Sequence, residues 1–294
     1  MLTDAMLKSS DFNISKKYIC SFRRKEFVFS AENPAVMGIL NVTPDSFSDG
    51  GQDIDSKIAE LLSFKPEIID IGGESTRPGA TCVPPDVELE RILPVIRKIR
   101  LLDPEILISV DTRKSQVAAE ALIAGADIIN DVSCLRFDPD LAKVVADFSA
   151  GLILNHSRGV PETMNHPEFL EYPEGLVETV RDELKKAVDF ALQCGVKKES
   201  IILDPGFGFS KNTAQNLVLI REPEKLLSLG FPLLSGPSRK RFIGELTGES
   251  EPEKRDFGTC GAVIASVLSG YSIVRVHNVK AVKDCLSVFF CSFL

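Results

Sequence analysis

Ile106-Leu-Ile-Ser-Val-Asp-Thr-Arg-Lys-Ser-Gln-Val-Ala-Ala-Glu-Ala-Leu-Ile-Ala-Gly-Ala-Asp-Ile-Ile129 packs one complete structural unit into a short stretch. Ile106–Val110 is a β-branched apolar run, the pattern of a strand covered on both faces. Ser115–Ala124 reads as a helix with an N-cap at its start and a stop at Gly125. Asp127–Ile129 then opens the next strand. A strand, a helix and a strand in so few residues predict a parallel pair joined by a crossover.

The same alternation runs along the chain. Apolar runs occur at Val36–Leu40, Ile68–Ile71, Ile106–Val110, Asp127–Ile129, Leu152–Leu154, Ile201–Leu203, Pro232–Leu234 and Ile273–Val276, eight in all. Helical patterns fill the gaps. Glu88–Arg100 sets Leu89, Ile92, Leu93, Ile96 and Ile99 on one face, and Glu174–Cys194 ends at Gly195. Eight strands with about as many helices predict an α/β fold, a single closed (β/α)8 TIM barrel rather than an open doubly wound sheet. The glycine fingerprint of an open dinucleotide fold is missing too: Gly206-Phe-Gly208 is followed by Lys211 where a third glycine would stand. Residues 35–294 are read as the barrel and residues 1–34 as an N-terminal extension. Within the extension, Tyr18–Ser30 alternates in the manner of a hairpin and is expected to close the barrel floor.

Composition narrows the function. The chain has 294 residues, 44% hydrophobic and 26% charged, which excludes disorder and fits one barrel of roughly 250 residues with additions. A net charge of −8 argues against a general nucleic-acid or anionic-membrane binder while allowing a local basic pocket. Seven scattered cysteines without a C-x-x-C pair signal neither a disulfide framework nor a zinc site. Met1–Ser10 lacks the apolar core of a secretory signal, and the apolar tail Cys285–Leu294 is too short to span a bilayer. The expectation is a cytoplasmic enzyme whose tail finishes a helix packed on the core.

Polar residues collect where the apolar runs give out: Asn41, Asp70, Asp111, Asn130 with Asp131, Asn155 with His156, Asp204, Ser235, and Arg275 with His277. In a barrel such positions converge on the C-terminal mouth, where the active sites of this fold lie. Asp111, Asn130 and Asp204 offer acceptors for a flat heterocycle rich in N–H donors. Lys240, Arg275 and His277 supply positive charge for an anionic group, whereas Arg239 or Arg241 reads as a solvated surface charge. Two long loops rich in glycine, proline and hydroxyls follow the first two strands, Asn41–Gly51 and Gly72–Ala80. Few apolar anchors are available there to offset ordering entropy, so both are expected to be mobile lids that close over substrate.

These residues carry a resemblance. Met37-Gly-Ile-Leu-Asn-Val-Thr-Pro-Asp-Ser-Phe-Ser-Asp-Gly50, Asp70-Ile-Gly-Gly-Glu-Ser-Thr-Arg-Pro-Gly79, Ser109-Val-Asp-Thr112, Ile129-Asn-Asp131, Leu203-Asp-Pro-Gly-Phe-Gly-Phe209, Ser238-Arg-Lys240 and Arg275-Val-His277 resemble the dihydropteroate synthase family, from about Ala35 to about Val288. The resemblance implies condensation of 6-hydroxymethyl-7,8-dihydropterin diphosphate with p-aminobenzoate through a pterin-methyl cation, with no covalent enzyme nucleophile. It implies that Asp111, Asn130, Asp204 and Lys240 hold the pterin, and that Arg275 stacks on the ring and contacts the diphosphate with His277. Asn41 would help hold Mg²⁺, Thr76 and Arg77 would close over the substrates, and Phe47, Pro78, Phe209 and Ser238 would form the p-aminobenzoate site. A homodimer is implied as well. The chain departs from the family pattern at Asn278, where aspartate is usual, and at Asn155 and Ser157, where methionines are common. Its Ser235–Arg241 string resembles chains in which this domain follows a pyrophosphokinase domain, and no such domain is read here. Three other readings compete: a pterin-binding methyltransferase barrel, a catalytically silent pterin-binding paralogue, and a Schiff-base aldolase using Lys240. The intact long first loop and S-R-K string disfavour the first. The intact Asn41, Thr76, Arg77, Lys240 and Arg275 disfavour the second, and nothing in the sequence suggests the desolvated lysine that the third requires.

Overall fold

The computed structural model of the protein describes residues 16–23, 25–43, 53–75, 82–160, 163–164 and 166–293. It begins with the expected hairpin, β1 (Tyr18–Phe22) and β2 (Lys25–Phe29), paired antiparallel with Tyr18 opposite Phe29. Eight strand–helix units follow. They are β3 (Ala35–Asn41) with α1 (Ile54–Ser63), β4 (Ile68–Gly72) with α2 (Pro85–Leu102), β5 (Leu107–Asp111) with α3 (Ser115–Ala124), and β6 (Ile128–Asp131) with α4 (Asp140–Phe148). Then come β7 (Gly151–Asn155) with α5 (Leu176–Gln193), β8 (Ile201–Asp204) with α6 (Thr213–Arg221), β9 (Leu234–Ser235) with α7 (Asp256–Leu268), and β10 (Ile273–Val276) with α8 (Val279–Phe293).

Strands β3 to β10 pair in parallel in the order β8-β7-β6-β5-β4-β3-β10-β9, and a bridge between Leu203 and Leu233 joins the two ends. The result is the closed (β/α)8 barrel that the sequence pattern predicts. The run Pro232–Leu234 is regular only over Leu234–Ser235, because Pro232 has no N–H to give; its carbonyl accepts from Leu203 N at 3.0 Å. At α3 the cap differs from expectation. Lys114 occupies the N-cap position, and the Ser115 N–H is satisfied by Asp138 Oδ2 at 2.7 Å, so a carboxylate from the next loop does the work expected of the serine.

The interior is stratified by the two-residue period of strand side chains. Met37, Ile68, Leu107, Ile128, Ile153, Ile202, Leu234 and Ile273, one from each barrel strand, form a single fully buried apolar layer. Tyr18, Cys20, Phe22 and Phe29 of the hairpin close that layer from below. Phe22 reaches so far in that a side chain at Gly151 would begin 2.6 Å from its ring. Outward-facing strand residues such as Val36, Ile69, Ile108 and Leu152 pack with the surrounding helices in a separate, larger core.

Phe22→Ala is expected to cost about 3–5 kcal/mol, because the plug sits between rigid strands that cannot collapse into the void. Urea unfolding checks this; a loss below 1 kcal/mol would mean the hairpin is not part of the cooperative core.

Candidate functional site

One strand step above the floor the chemistry changes. Counting two residues on from each floor residue gives Ile39, Asp70, Ser109, Asn130, Asn155, Asp204, Gly236 and Arg275. Asp70, Ser109, Asn130, Asn155 and Asp204 in this layer are buried. A second step reaches the rim, with Asn41, Gly72, Asp111, Ser157, Gly206, Ser238 and His277. Strand registers place Asn41 beside Gly72, Gly72 beside Asp111, and Asp111 beside Asn130.

The same period sorts the strand-end residues into two classes. Asp131, His156 and Ser235 were expected at the mouth, and they face outward instead. Asp131 accepts from Ser133 N and Leu135 N at 2.8 and 2.5 Å and so closes its own turn. Ser235 bonds Ser266 on α7 at 2.9 Å. His156 pairs with Glu183 on α5 at 2.9 Å and faces Lys211 Nζ at 3.0 Å. Burial and the neighbouring Lys211 hold this imidazole down to about 3, hence neutral.

Within the cup, Arg275 is the hub. Its Nε donates to Asp70 Oδ2 at 2.6 Å and its Nη2 to Asp111 Oδ2 at 2.8 Å. Asn130 Nδ2 reaches the same Asp70 oxygen at 3.3 Å. Burial pushes the Asp111 carboxyl up to about 7, although Arg275 pulls the other way. Burial also raises Asp204, despite donation from Gly206 N to Oδ1 at 2.7 Å and from Asn155 Nδ2 to Oδ2 at 2.8 Å. Burial would lower Arg275, but Asp70 and Asp111 outweigh it and keep the guanidinium charged.

Lys240 enters from the loop after β9. Its Nζ donates to Phe207 O at 2.6 Å and lies 3.7 Å from the centre of the Phe209 ring. Burial lowers this ammonium to about 7, against the pull of Asp204. Ser238 Oγ lies 2.9 Å from His277 Nδ1 and accepts from His277 N at 3.1 Å. Arg239 is bidentate to Asp256 and Arg241 is solvated beside Glu245, so neither belongs to the cup.

The cup therefore assembles Asp111, Asn130, Asp204, Arg275, Lys240, Phe209, Ser238 and His277, with Asn41 on its rim. Thr76, Arg77, Phe47 and Pro78 lie outside the described residues. The stem of the second loop is tied down more firmly than its composition suggests. Glu74 accepts from Arg113 Nη2 and Val83 N at 2.9 and 3.1 Å and pairs with Lys114, which also reaches Glu88 at 2.5 Å. Charge anchors the stem where apolar area is scarce.

The sequence marks Asp70 as no more than a strand end and Asn155 as a strand end that departs from the family pattern. Counting two residues on from Ile68 and Ile153 places both side chains inside once the floor layer is known. As for a cation, no cluster of three or more His, Cys, Asp or Glu suited to a metal exists among the described residues. Asn41 alone offers one neutral amide oxygen at the rim. That donor set fits Mg²⁺ arriving with phosphate oxygens, an ion that keeps several waters and takes few protein ligands.

Comparison with known proteins agrees with this geometry. Residues 37–277 match the family model described as pterin binding enzyme. A dihydropteroate synthase of Synechocystis is 45% identical over 86% of this chain and 88% of its own length. The Bacillus subtilis dihydropteroate synthase is 44% identical over 85% and 86%. A Xanthomonas albilineans dihydropteroate synthase solved with 4-aminobenzoic acid superposes with a TM-score of 0.84 at 38% identity, covering 95% of this chain and 99% of that one. A layered cup rich in N–H acceptors, set in a closed barrel that aligns along nearly its whole length with these enzymes, leaves one conclusion: the chain belongs to the pterin-binding enzyme family and, within it, to the dihydropteroate synthases, transferases of folate biosynthesis.

Proposed function

We propose that the cup binds 6-hydroxymethyl-7,8-dihydropterin diphosphate and joins its methylene carbon to the amine of p-aminobenzoate, releasing pyrophosphate. One observation carries the reading. Asp70 Oδ1, Ser109 Oγ, Asn130 Oδ1 and Asn155 Oδ1 are buried in the layer above the floor and have no protein partner. Buried polar atoms are almost always satisfied, so a ring-shaped set of open acceptors calls for a polar guest.

In this reading Asp204 receives two N–H bonds from the guanidine-like edge of the pterin, and Asn130 and Asp111 take further ring contacts. The three carboxylates Asp70, Asp111 and Asp204 face the two cations Arg275 and Lys240, which favours a ring that becomes electron-poor as the C–O bond to diphosphate breaks. Arg275 and His277 line the side from which diphosphate leaves. Phe209, crossed by Lys240, and Ser238 present an aromatic and polar slot to p-aminobenzoate, whose amine needs no base to attack. Asn41 would hold Mg²⁺ on the diphosphate, where the ion neutralises departing charge.

Purified protein given both substrates and Mg²⁺ is expected to release pyrophosphate and dihydropteroate in equal amounts. Chelation should abolish turnover while the unliganded melting temperature stays within a degree or so, because Asn41 alone cannot make a structural centre. No product under these conditions overturns the assignment, and unfolding on chelation overturns the role given to the ion.

Residues 35–294 would act as the catalytic unit and as a homodimer. Support comes from the outer face of α7, where Phe257, Gly261 and Leu268 are exposed at helical spacing, Phe257 at 92%; Val288 is exposed too, on α8, the helix that packs against α7. A second copy would cover this face. Sedimentation should give a dimer and Phe257→Glu a monomer; a monomeric parent protein rejects the proposal. Seven free cysteines suit a reducing cytoplasm, and no helix among the described residues is long and apolar enough to cross a membrane.

A further inference from the structure

Asn155 is buried at the end of β7, in register with Asp204 on β8. Its two amide atoms behave differently. Nδ2 donates to Asp204 Oδ2 at 2.8 Å, whereas Oδ1 is buried without a partner. Asn130, on the neighbouring strand, repeats the arrangement: Nδ2 points to Asp70 Oδ2 at 3.3 Å and Oδ1 is open. Two side chains of one kind thus clamp a carboxylate with the donor end and leave the acceptor end to the cup.

We infer that Asn155 is a positioning residue for pterin recognition, its N–H fixing the plane of Asp204 and its carbonyl oxygen offering the ring a second acceptor. This rests on the reading of the cup as a pterin site. A carboxylate oxygen has two lone-pair directions, so the Asn155 bond on Oδ2 and the Gly206 bond on Oδ1 each leave one free. The two donors lock the carboxylate against rotation and leave its remaining lone pairs for the two parallel N–H groups of a pterin edge. Preorganised acceptors bind without the reorganisation a freely turning carboxylate would need.

The amide also helps keep Asp204 ionised. Burial raises this carboxyl, and Gly206 N–H, Lys240, Arg275 and the Asn155 amide oppose the rise. Lys211, from the loop after β8, and Tyr271, ahead of β10, also face it electrostatically. Loss of the amide donor leaves the charged form less favoured. Pterin binding needs the charged form, so affinity should begin to fall at a higher pH as acid is added.

The experiment is calorimetric binding of 6-hydroxymethyl-7,8-dihydropterin diphosphate across pH, with KM for p-aminobenzoate measured in parallel. Asn155→Leu should weaken pterin binding about tenfold, the ratio expected for a hydrogen bond to a charged group. It should also move the acid limb of affinity upward, and Asn155→Asp, which sets a second carboxylate against Asp204, should move it further. KM for p-aminobenzoate should stay within twofold. If Asn155→Leu does not fold, Asn155→Ala serves the same test. A lower melting temperature with unchanged affinity and an unmoved acid limb would show a merely structural residue and overturn the inference alone. Wild-type protein that binds no pterin overturns the site assignment and this inference together.

Discussion

Arg275→Met is expected to lower turnover by about two to three orders of magnitude and to destabilise the fold by about 3–5 kcal/mol. The guanidinium spans Asp70 and Asp111 with one bond to each, and both carboxylates are buried. Methionine fills the volume but leaves both without a counter-charge. The sign of the pH effect follows from Asp111. Burial already holds its carboxyl at about 7 in the presence of Arg275, above the ordinary carboxylate range. A group raised in the folded state contributes most at low pH and loses that contribution as pH climbs through the raised value. Without Arg275 the value rises further, so the gap in melting temperature between variant and parent should widen above about pH 7. Melting curves at pH 5.5 and 8.5 check this. A gap independent of pH would mean that the guanidinium contributes by packing rather than charge.

Gly206→Ala is expected to disable the cup through the backbone. Gly206 has φ of +76°, and a Cβ there would sit 1.8 Å from the carbonyl oxygen of His156. That carbonyl belongs to the end of β7, and the His156 N–H is bonded to Asp204 O at 2.9 Å. Relief of the clash must part the ends of β7 and β8, which breaks the His156 N–H bond to Asp204 O and draws Asn155 Nδ2 away from Asp204 Oδ2. Pterin affinity should drop more than tenfold. Gly230→Ala is the control: its φ is +84° with nothing within 4 Å of the added carbon, so only backbone strain of about 1–2 kcal/mol applies. Equal effects of the two substitutions on pterin binding would refute the clash account.

The barrel was legible because each strand is a run of apolar residues bounded by polar or glycine residues, and because Tyr18–Ser30 alternates as a plug must. The acceptor set Asp111, Asn130 and Asp204 was legible for a related reason, since eight apolar runs that all end in polar residues are more than turn capping alone would call for. What periodicity at a strand end does not supply is the face. Asn130 and Asp131 are adjacent, and only the register with β5 and the inward layer at Ile128 assign one to the cup and the other to a turn. The hub role of Asp70 was hidden because its partner Arg275 lies 205 residues away and meets it only when the barrel closes. The cap on α3 was hidden similarly, since Asp138 reaches Ser115 from beyond the next strand.

The hairpin that seals the floor also gives the molecule a handle. Tyr18 sits at the closed end, opposite the opening where chemistry is proposed. A purification tag, a surface tether or a fused protein joined ahead of Tyr18 through a short linker would be held at the sealed end, and the entrance would face bulk solvent. The chain can be immobilised on a sensor chip through that point with its entrance unobstructed, an orientation that random lysine coupling would not give.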